Sequence, residues 1–236
     1  MYYHLNDHIY VTQFREELIL LDTKKDKYTV CFKEISTLFS KLFEQDNFCI
    51  PLQSSEYIQA LLADNVIIKK DSPYPFVIDK KSISEGASNV DWRLPLENKQ
   101  VPINVQVIKA FATLVKVNYY IKFRGLYATI QFLKRLRKPQ DNYKIPQENE
   151  LRELASIVNK ASLMYPTRIK CLEWALTYVL LALQRGWKCN LEIGVQNYPF
   201  FAHAWVECDG KVVMDSQNLR QELGIILNEP FRKEKI

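Results

Sequence analysis

Hydrophobic positions along the chain follow two different periods, and the changes between them divide it. "HIYVTQF" and "ELILLDT" carry short, dense apolar runs, which predict strands. "TKKDK" supplies a polar turn. "KYTVCF" follows, with Tyr28, Val30 and Phe32 on one face and Thr29 and Cys31 on the other. The period then lengthens. In "KEISTLFSKLFEQ", Ile35, Leu38, Phe39, Leu42 and Phe43 recur at helical spacing. "SSEYIQALLADNVII" predicts a second helix with Ile58, Leu61 and Leu62 inward and Ser54 or Ser55 as its cap. Residues 1–71 therefore read as a small β-then-α unit.

Residues 72–103 lose periodicity. "SPYP", "SISEGAS" and "RLPLENKQVP" concentrate Pro, Ser, Gly and Asn, the composition of a linker, with "FVID" as one short candidate strand. Helical spacing returns over 104–138 as two helices meeting near Gly125, with Val107, Ile108, Phe111, Leu114 and Val115 as the apolar stripe. A further helix is predicted over 148–165, ended by Pro166. The next helix has the clearest stripe: Leu172, Ala175, Leu176, Val179, Leu180 and Leu183, with Thr167 as N-cap and Gly186 at its C-terminal end. Strands then return as "CNLEIGVQ", "FAHAWVEC" and "KVVMDS". Strands and helices in separate runs predict an α+β chain.

Composition narrows this picture. The 236 residues are 47% hydrophobic and 25% charged, enough for a real core in one or two domains. The net charge of +5 permits acidic partners without demanding nucleic acid. Charge is uneven, however: between Asn98 and Gln140 there are nine Lys or Arg and no Asp or Glu. A solvated basic face over an apolar stripe explains this, and a docking surface for an acidic partner or a membrane-surface helix are the sharper alternatives. The apolar run Ala175 to Leu183 is far short of the ~20 residues a membrane span needs. The five cysteines are odd in number and form no CxxC pair, and "MYYHLNDHIY" lacks the pattern of a signal peptide. The expectation is a reducing cytoplasm without a disulfide framework.

The chemistry concentrates near one helix start. Cys171 is predicted in the first turn after Thr167, where free backbone N–H groups and the helix dipole stabilise a thiolate. Arg168 and Lys170 add positive charge. A cysteine is more often a small buried hydrophobe, and Cys31, Cys189 and Cys208, each in a strand, fit that role, with Cys49 in loop or core. A nucleophilic thiol needs a base and the base an orienter. The chain has three histidines. His4 and His8 lie in the N-terminal unit, which leaves His203.

Asp215 is the candidate orienter, and the Asp-Gly hairpin decides its placement. A two-residue loop pairs Cys208 with Lys211 and His203 with Ser216, turning Asp215 to the opposite face. A three-residue loop pairs Glu207 with Lys211 and sets His203 opposite Asp215. The sequence allows both, and a Cys-His-Asp triad requires the second. A zinc site built from His203, Cys208, Cys189 and Asp215 is the rival, but these ligands follow no metal-binding spacing.

The order Cys, His, Asp, with the cysteine opening a helix and its partners on following strands, resembles the transglutaminase-like papain superfamily. "RIKCLEWALTYVLLALQRGW" and "HAWVECDGKVVMDS" resemble more closely the fused B proteins of lasso-peptide biosynthesis, with spacings of 32 and 12 residues between Cys171, His203 and Asp215. The first 71 residues resemble a small winged-helix element that binds leader peptides.

The resemblance implies three segments: a recognition domain at 1–71, a linker at 72–103 and a cysteine peptidase domain at 104–236. It implies leader binding as an added strand beside Tyr28, Val30, Phe32, Tyr57 and Leu61. It implies cleavage of a precursor peptide by Cys171, His203 and Asp215. It also implies a partner, an asparagine-synthetase-like macrolactam cyclase, and neither cofactor, metal, nucleic acid nor membrane. Acyl transfer to an amine, or a non-catalytic peptide-binding scaffold, are the competing functions.

Overall fold

The computed structural model describes residues 2–44, 52–87, 101–138 and 142–235. The first four strands are β1 (Tyr2–Leu5), β2 (Ile9–Phe14), β3 (Glu17–Asp22) and β4 (Lys27–Cys31). Two helices follow, α1 (Lys33–Glu44) and α2 (Leu52–Ala63), and then β5 (Ile67–Lys70) and β6 (Lys80–Lys81). β5 pairs antiparallel with β1, and a second sheet runs β4-β3-β2-β6, so β4 is an edge strand among the described residues. Three helices come next, α3 (Val105–Leu136), α4 (Glu148–Leu163) and α5 (Cys171–Gln184). The chain closes with β7 (Asn190–Gln196), β8 (Phe201–Cys208), β9 (Lys211–Val213), α6 (Leu219–Glu222) and β10 (Gly224–Glu229), whose sheet order is β10-β7-β8-β9. The architecture is α+β.

β2 and β3 explain why "ELILLDT" is almost continuously apolar. Side chains alternate between faces along a strand. Ile9, Val11, Leu18 and Leu20 face a core completed by α1, α2 and β5. Tyr10, Phe14, Ile19 and Leu21 face the other way, into the large core formed by α3, α4, α5 and the last sheet. Across that seam the Tyr10 hydroxyl donates to buried Glu229 at 3.0 Å, and Lys134 lies 3.6 Å from the same carboxylate. Residues 72–87 lie against both parts: Gln13 N–H donates to the Asp79 carbonyl, and Ser84 Oγ donates to the carbonyl of Glu222.

α5 is the central helix. It is buried on every side from Trp174 to Leu183, packed between α3 and α4 and against β8. Trp174 Nε1 donates to Asn159 of α4 at 2.8 Å, and the Tyr178 hydroxyl to the Leu151 carbonyl at 2.9 Å. Gly186, at φ 70, ends it.

Several local expectations need correction. α2 begins at Leu52, which puts Ser54 and Ser55 inside its first turn and not at its cap. "VII" does not continue that helix: Asn65 adopts φ 55, and Ile67 and Ile68 pair with Leu5 and His4, as suits β-branched residues. The strand near "FVID" is Lys80–Lys81, and Phe76 makes only an isolated bridge with Glu234. α3 breaks at Gly125 as its sequence suggested, but its buried stripe is Val107, Ala110, Leu114 and Val117. Ile108 and Val115 are exposed. The small Ala110 suits the face that meets α4 and α5, so that phase wins. Cys49 and residues 88–100 of the expected linker lie outside the described residues.

Candidate active site

Cys171 is the first residue of α5, closer to the helix end than a Thr167 cap would have set it. Lys170 occupies the cap position, and its N–H donates to Glu173 Oε2 at 2.7 Å. That carboxylate, three residues into the helix, fixes the start where Thr167 was expected to. The thiol is half-buried. Burial alone would push its pKa up. Hydrogen bonds from the His203 ring and from the Ala204 and Leu172 backbone, with the imidazole's charge, outweigh burial and hold it below the ordinary thiol value.

His203 sits in the middle of β8 and is 2% exposed. Its ring lies between those of Phe201 and Trp205, two residues to either side on the same strand face, at centroid distances of 6.1 and 5.8 Å. Opposite it in β7 stands Gly194; a Cβ there would lie 2.4 Å from the Trp205 ring, so only glycine admits that indole. Trp205 Nε1 in turn donates to buried Glu192 at 2.9 Å, which also accepts from Asn228 and faces Arg220 at 3.0 Å. Burial, opposed by Arg220, pushes the Glu192 carboxyl up to about 7.

His203 Nε2 and Asp215 Oδ2 are 2.8 Å apart, and the same ring hydrogen-bonds the Cys171 sulfur. Burial disfavours the imidazolium, but the Asp215 hydrogen bond, then that of Cys171, raise its pKa to about 9.

This contact arises by a route the strand pairing did not foretell. The hairpin adopts the two-residue loop, Cys208 pairing with Lys211, the register expected to turn Asp215 away. Pairing ends at Val213, however, and Met214 takes φ 58. That left-handed residue breaks the alternation and returns the Asp215 carboxylate to the His203 side. Cys171, His203 and Asp215 are thus brought together, although β8 and β9 pair in the two-residue-loop register.

The other named residues divide. Val30 of β4, Phe32 just past its end and Tyr57 of α2 are exposed, at 37, 76 and 55%. Leu61 packs against the core that β2 and β3 share with α1, α2 and β5. Tyr28 leans the other way, against Phe200 at 5.2 Å, just before β8. Burial, then Asp26, then the charge of nearby Cys171 push its phenol up to about 12. Glu17 of β3 accepts hydrogen bonds from Asn197 and Tyr198 of the β7–β8 loop. Glu17, Phe200, Glu192 and Gly194 were not singled out from the sequence. Only the alternating Phe201, His203, Trp205 pattern hinted at the ring stack. Cys189 and Cys208 are buried and Cys31 half-buried. Among the described residues no three His, Cys, Asp or Glu group as metal ligands would, and no helix is long and apolar enough to cross a membrane.

Residues 113–228 match the transglutaminase-like superfamily, a span holding Cys171, His203 and Asp215. The chain is 26% identical over 219 residues to the microcin J25-processing protein McjB of Escherichia coli, covering 92% of this chain and 96% of that protein. No solved structure matches the chain.

Proposed function

We propose that this chain, a relative of the lasso-peptide B proteins, is a cysteine peptidase that removes the leader from a lasso-peptide precursor. One observation carries the reading: a sulfur at a helix N-terminus, hydrogen-bonded to a buried imidazole whose Nε2 meets a carboxylate at 2.8 Å. The depressed thiol and raised imidazole favour a thiolate–imidazolium pair. The thiolate attacks the carbonyl of the last leader residue. His203 gives its proton to the departing amine, which becomes the N-terminus of the core peptide. Asp215 holds the ring's orientation and stabilises its charge. The N–H of Cys171, unsatisfied at the helix start, is one candidate donor to the oxyanion. Water then hydrolyses the thioester.

The N-terminal unit, read as a winged-helix-like recognition element, holds the leader as a strand added to the free edge of β4. The exposed apolar side chains of Val30, Phe32 and Tyr57 suit that role. A peptide antiparallel to β4 runs from the Cys31 end toward Tyr28, and so carries its C-terminal end toward Cys171, the polarity that leader cleavage requires. The released core passes to a macrolactam cyclase in the same reducing cytoplasm.

Incubating the protein with a candidate lasso-peptide precursor tests this by mass spectrometry. The expected result is a leader and a core fragment, both absent with Cys171→Ala, while leader binding persists. A mass gain on an added amine, without hydrolysis, would replace peptidase with acyl transferase. Binding without turnover in the unmodified protein, with or without the cyclase, would leave only a scaffold.

A further inference from the structure

The basic stretch between residues 98 and 140 has no part in this chemistry, and α3 shows what it surrounds. Before its break at Gly125, α3 carries two apolar stripes. The inner one, Val107, Ala110, Leu114 and Val117, is buried. The outer one is Val105, Ile108, Ala112, Val115 and Tyr119, continued by Phe123. All are exposed, Val105 at 80% and Phe123 at 64%. Its first five members follow steps of three, four, three and four residues, the a/d pattern of a helix–helix seam. It runs for roughly 21 Å, at ~1.5 Å per residue.

Lysines border this seam on both sides. At helical periodicity Lys109 and Lys116 flank one edge and Lys122 the other. Lys116 is drawn over the Phe132 ring, 4.5 Å from its centroid. No acidic residue lies anywhere in the surrounding sequence from 98 to 140.

We propose that the outer seam of α3 docks an α-helix of a partner protein, one whose own apolar a/d seam is bordered by Asp or Glu. Three observations select this occupant. The stripe is as narrow as a coiled-coil seam, whereas a helix lying in a bilayer surface presents a broader apolar face. Ala112, between Ile108 and Val115, leaves a notch that a partner's side chain fills as a knob fills a hole. A second copy docking through this same seam would bring lysines against lysines, and the sequence from 98 to 140 holds no acidic residue to answer them, so the complementary charge is assigned to a different protein. The proposal is independent of the peptidase reading.

The test uses the full chain and a labelled amphipathic peptide of about three heptads, with Leu on its seam and Glu along both borders, beside a twin carrying Lys for Glu. Fluorescence anisotropy is expected to show one-to-one binding of the acidic peptide, at least roughly tenfold tighter than its twin. Ile108→Asp with Val115→Asp, both outside the core, should abolish binding while iodoacetamide still labels Cys171 at the unaltered rate. Lys109→Glu with Lys122→Glu should reverse the preference toward the basic twin. Equal binding of both peptides, or binding that survives the paired aspartates, would overturn the proposal. So would association with phosphatidylglycerol vesicles in place of the peptide, or concentration-dependent dimers that the aspartates dissolve.

Discussion

At the scale of single residues, the candidate chemistry turns on who holds protons. Because the Cys171 thiol lies below its ordinary value and His203 is raised to about 9, alkylation of Cys171 by iodoacetamide at pH 6 should be faster than that of an ordinary thiol. An ordinary thiol, with pKa ~8.5, is then nearly all protonated. His203→Ala should restore the ordinary profile, and stopped-flow alkylation across pH reads it. Asp215→Asn should lower cleavage by at least ~100-fold with little change in leader affinity. Glu192 makes a separate prediction. Its carboxyl is raised to about 7, so it keeps a proton when folded that the unfolded chain releases near pH 4. Its contribution to stability is complete below pH ~4 and lost as pH rises through about 7. Thermal unfolding should therefore show the unmodified protein losing more stability between pH 4 and 8 than Glu192→Gln does. The juxtaposition of Cys171, His203 and Asp215 was the candidate site the sequence offered, because only one histidine lies outside the N-terminal unit and the cysteine stands at a helix start. Glu192 and Gly194 were not legible, because their roles depend on Trp205, reached only across the sheet.

Among elements, the instructive case is the β8–β9 hairpin. The Asp-Gly signal announced the turn, and alternation predicted which face each residue takes. Alternation holds only while the strand lasts. It stops at Val213, and a single left-handed methionine reverses the outcome for Asp215. Met214→Val is the corresponding test. A β-branched residue at φ 58 costs at least ~1–2 kcal/mol, which the loop can relieve by leaving that conformation and carrying Asp215 away. Turnover should fall at least roughly tenfold with substrate affinity kept, and Met214→Gly should retain the contact. α3 was ambiguous for a different reason. Both of its stripes have helical spacing, so periodicity could establish the helix but not which stripe meets the core.

For the molecule as a whole, the N-terminal strands are structural members of the far core. Tyr10, Phe14, Ile19 and Leu21 complete the packing against α3, α5 and the last sheet. A chain trimmed to residues 72–236 would expose that apolar face to water, and is expected to aggregate or bind a hydrophobic dye where the full chain does not. Glu229→Ala should destabilise the chain by ~1–3 kcal/mol by stranding the Tyr10 hydroxyl, and urea unfolding should still show one transition for both parts. Sequence alone could not show this union. A strand buried on both faces looks the same whether its second neighbour is its own unit or a distant one.

The clasp that Glu17 and Tyr28 make on the β7–β8 loop bears on any attempt to re-engineer specificity. A foreign sheet spliced onto this scaffold to accept a new peptide would have to carry both grips with it. Without them, the segment leading into His203 would lose its outer brace, and the hybrid could seize its cargo yet fail to cut.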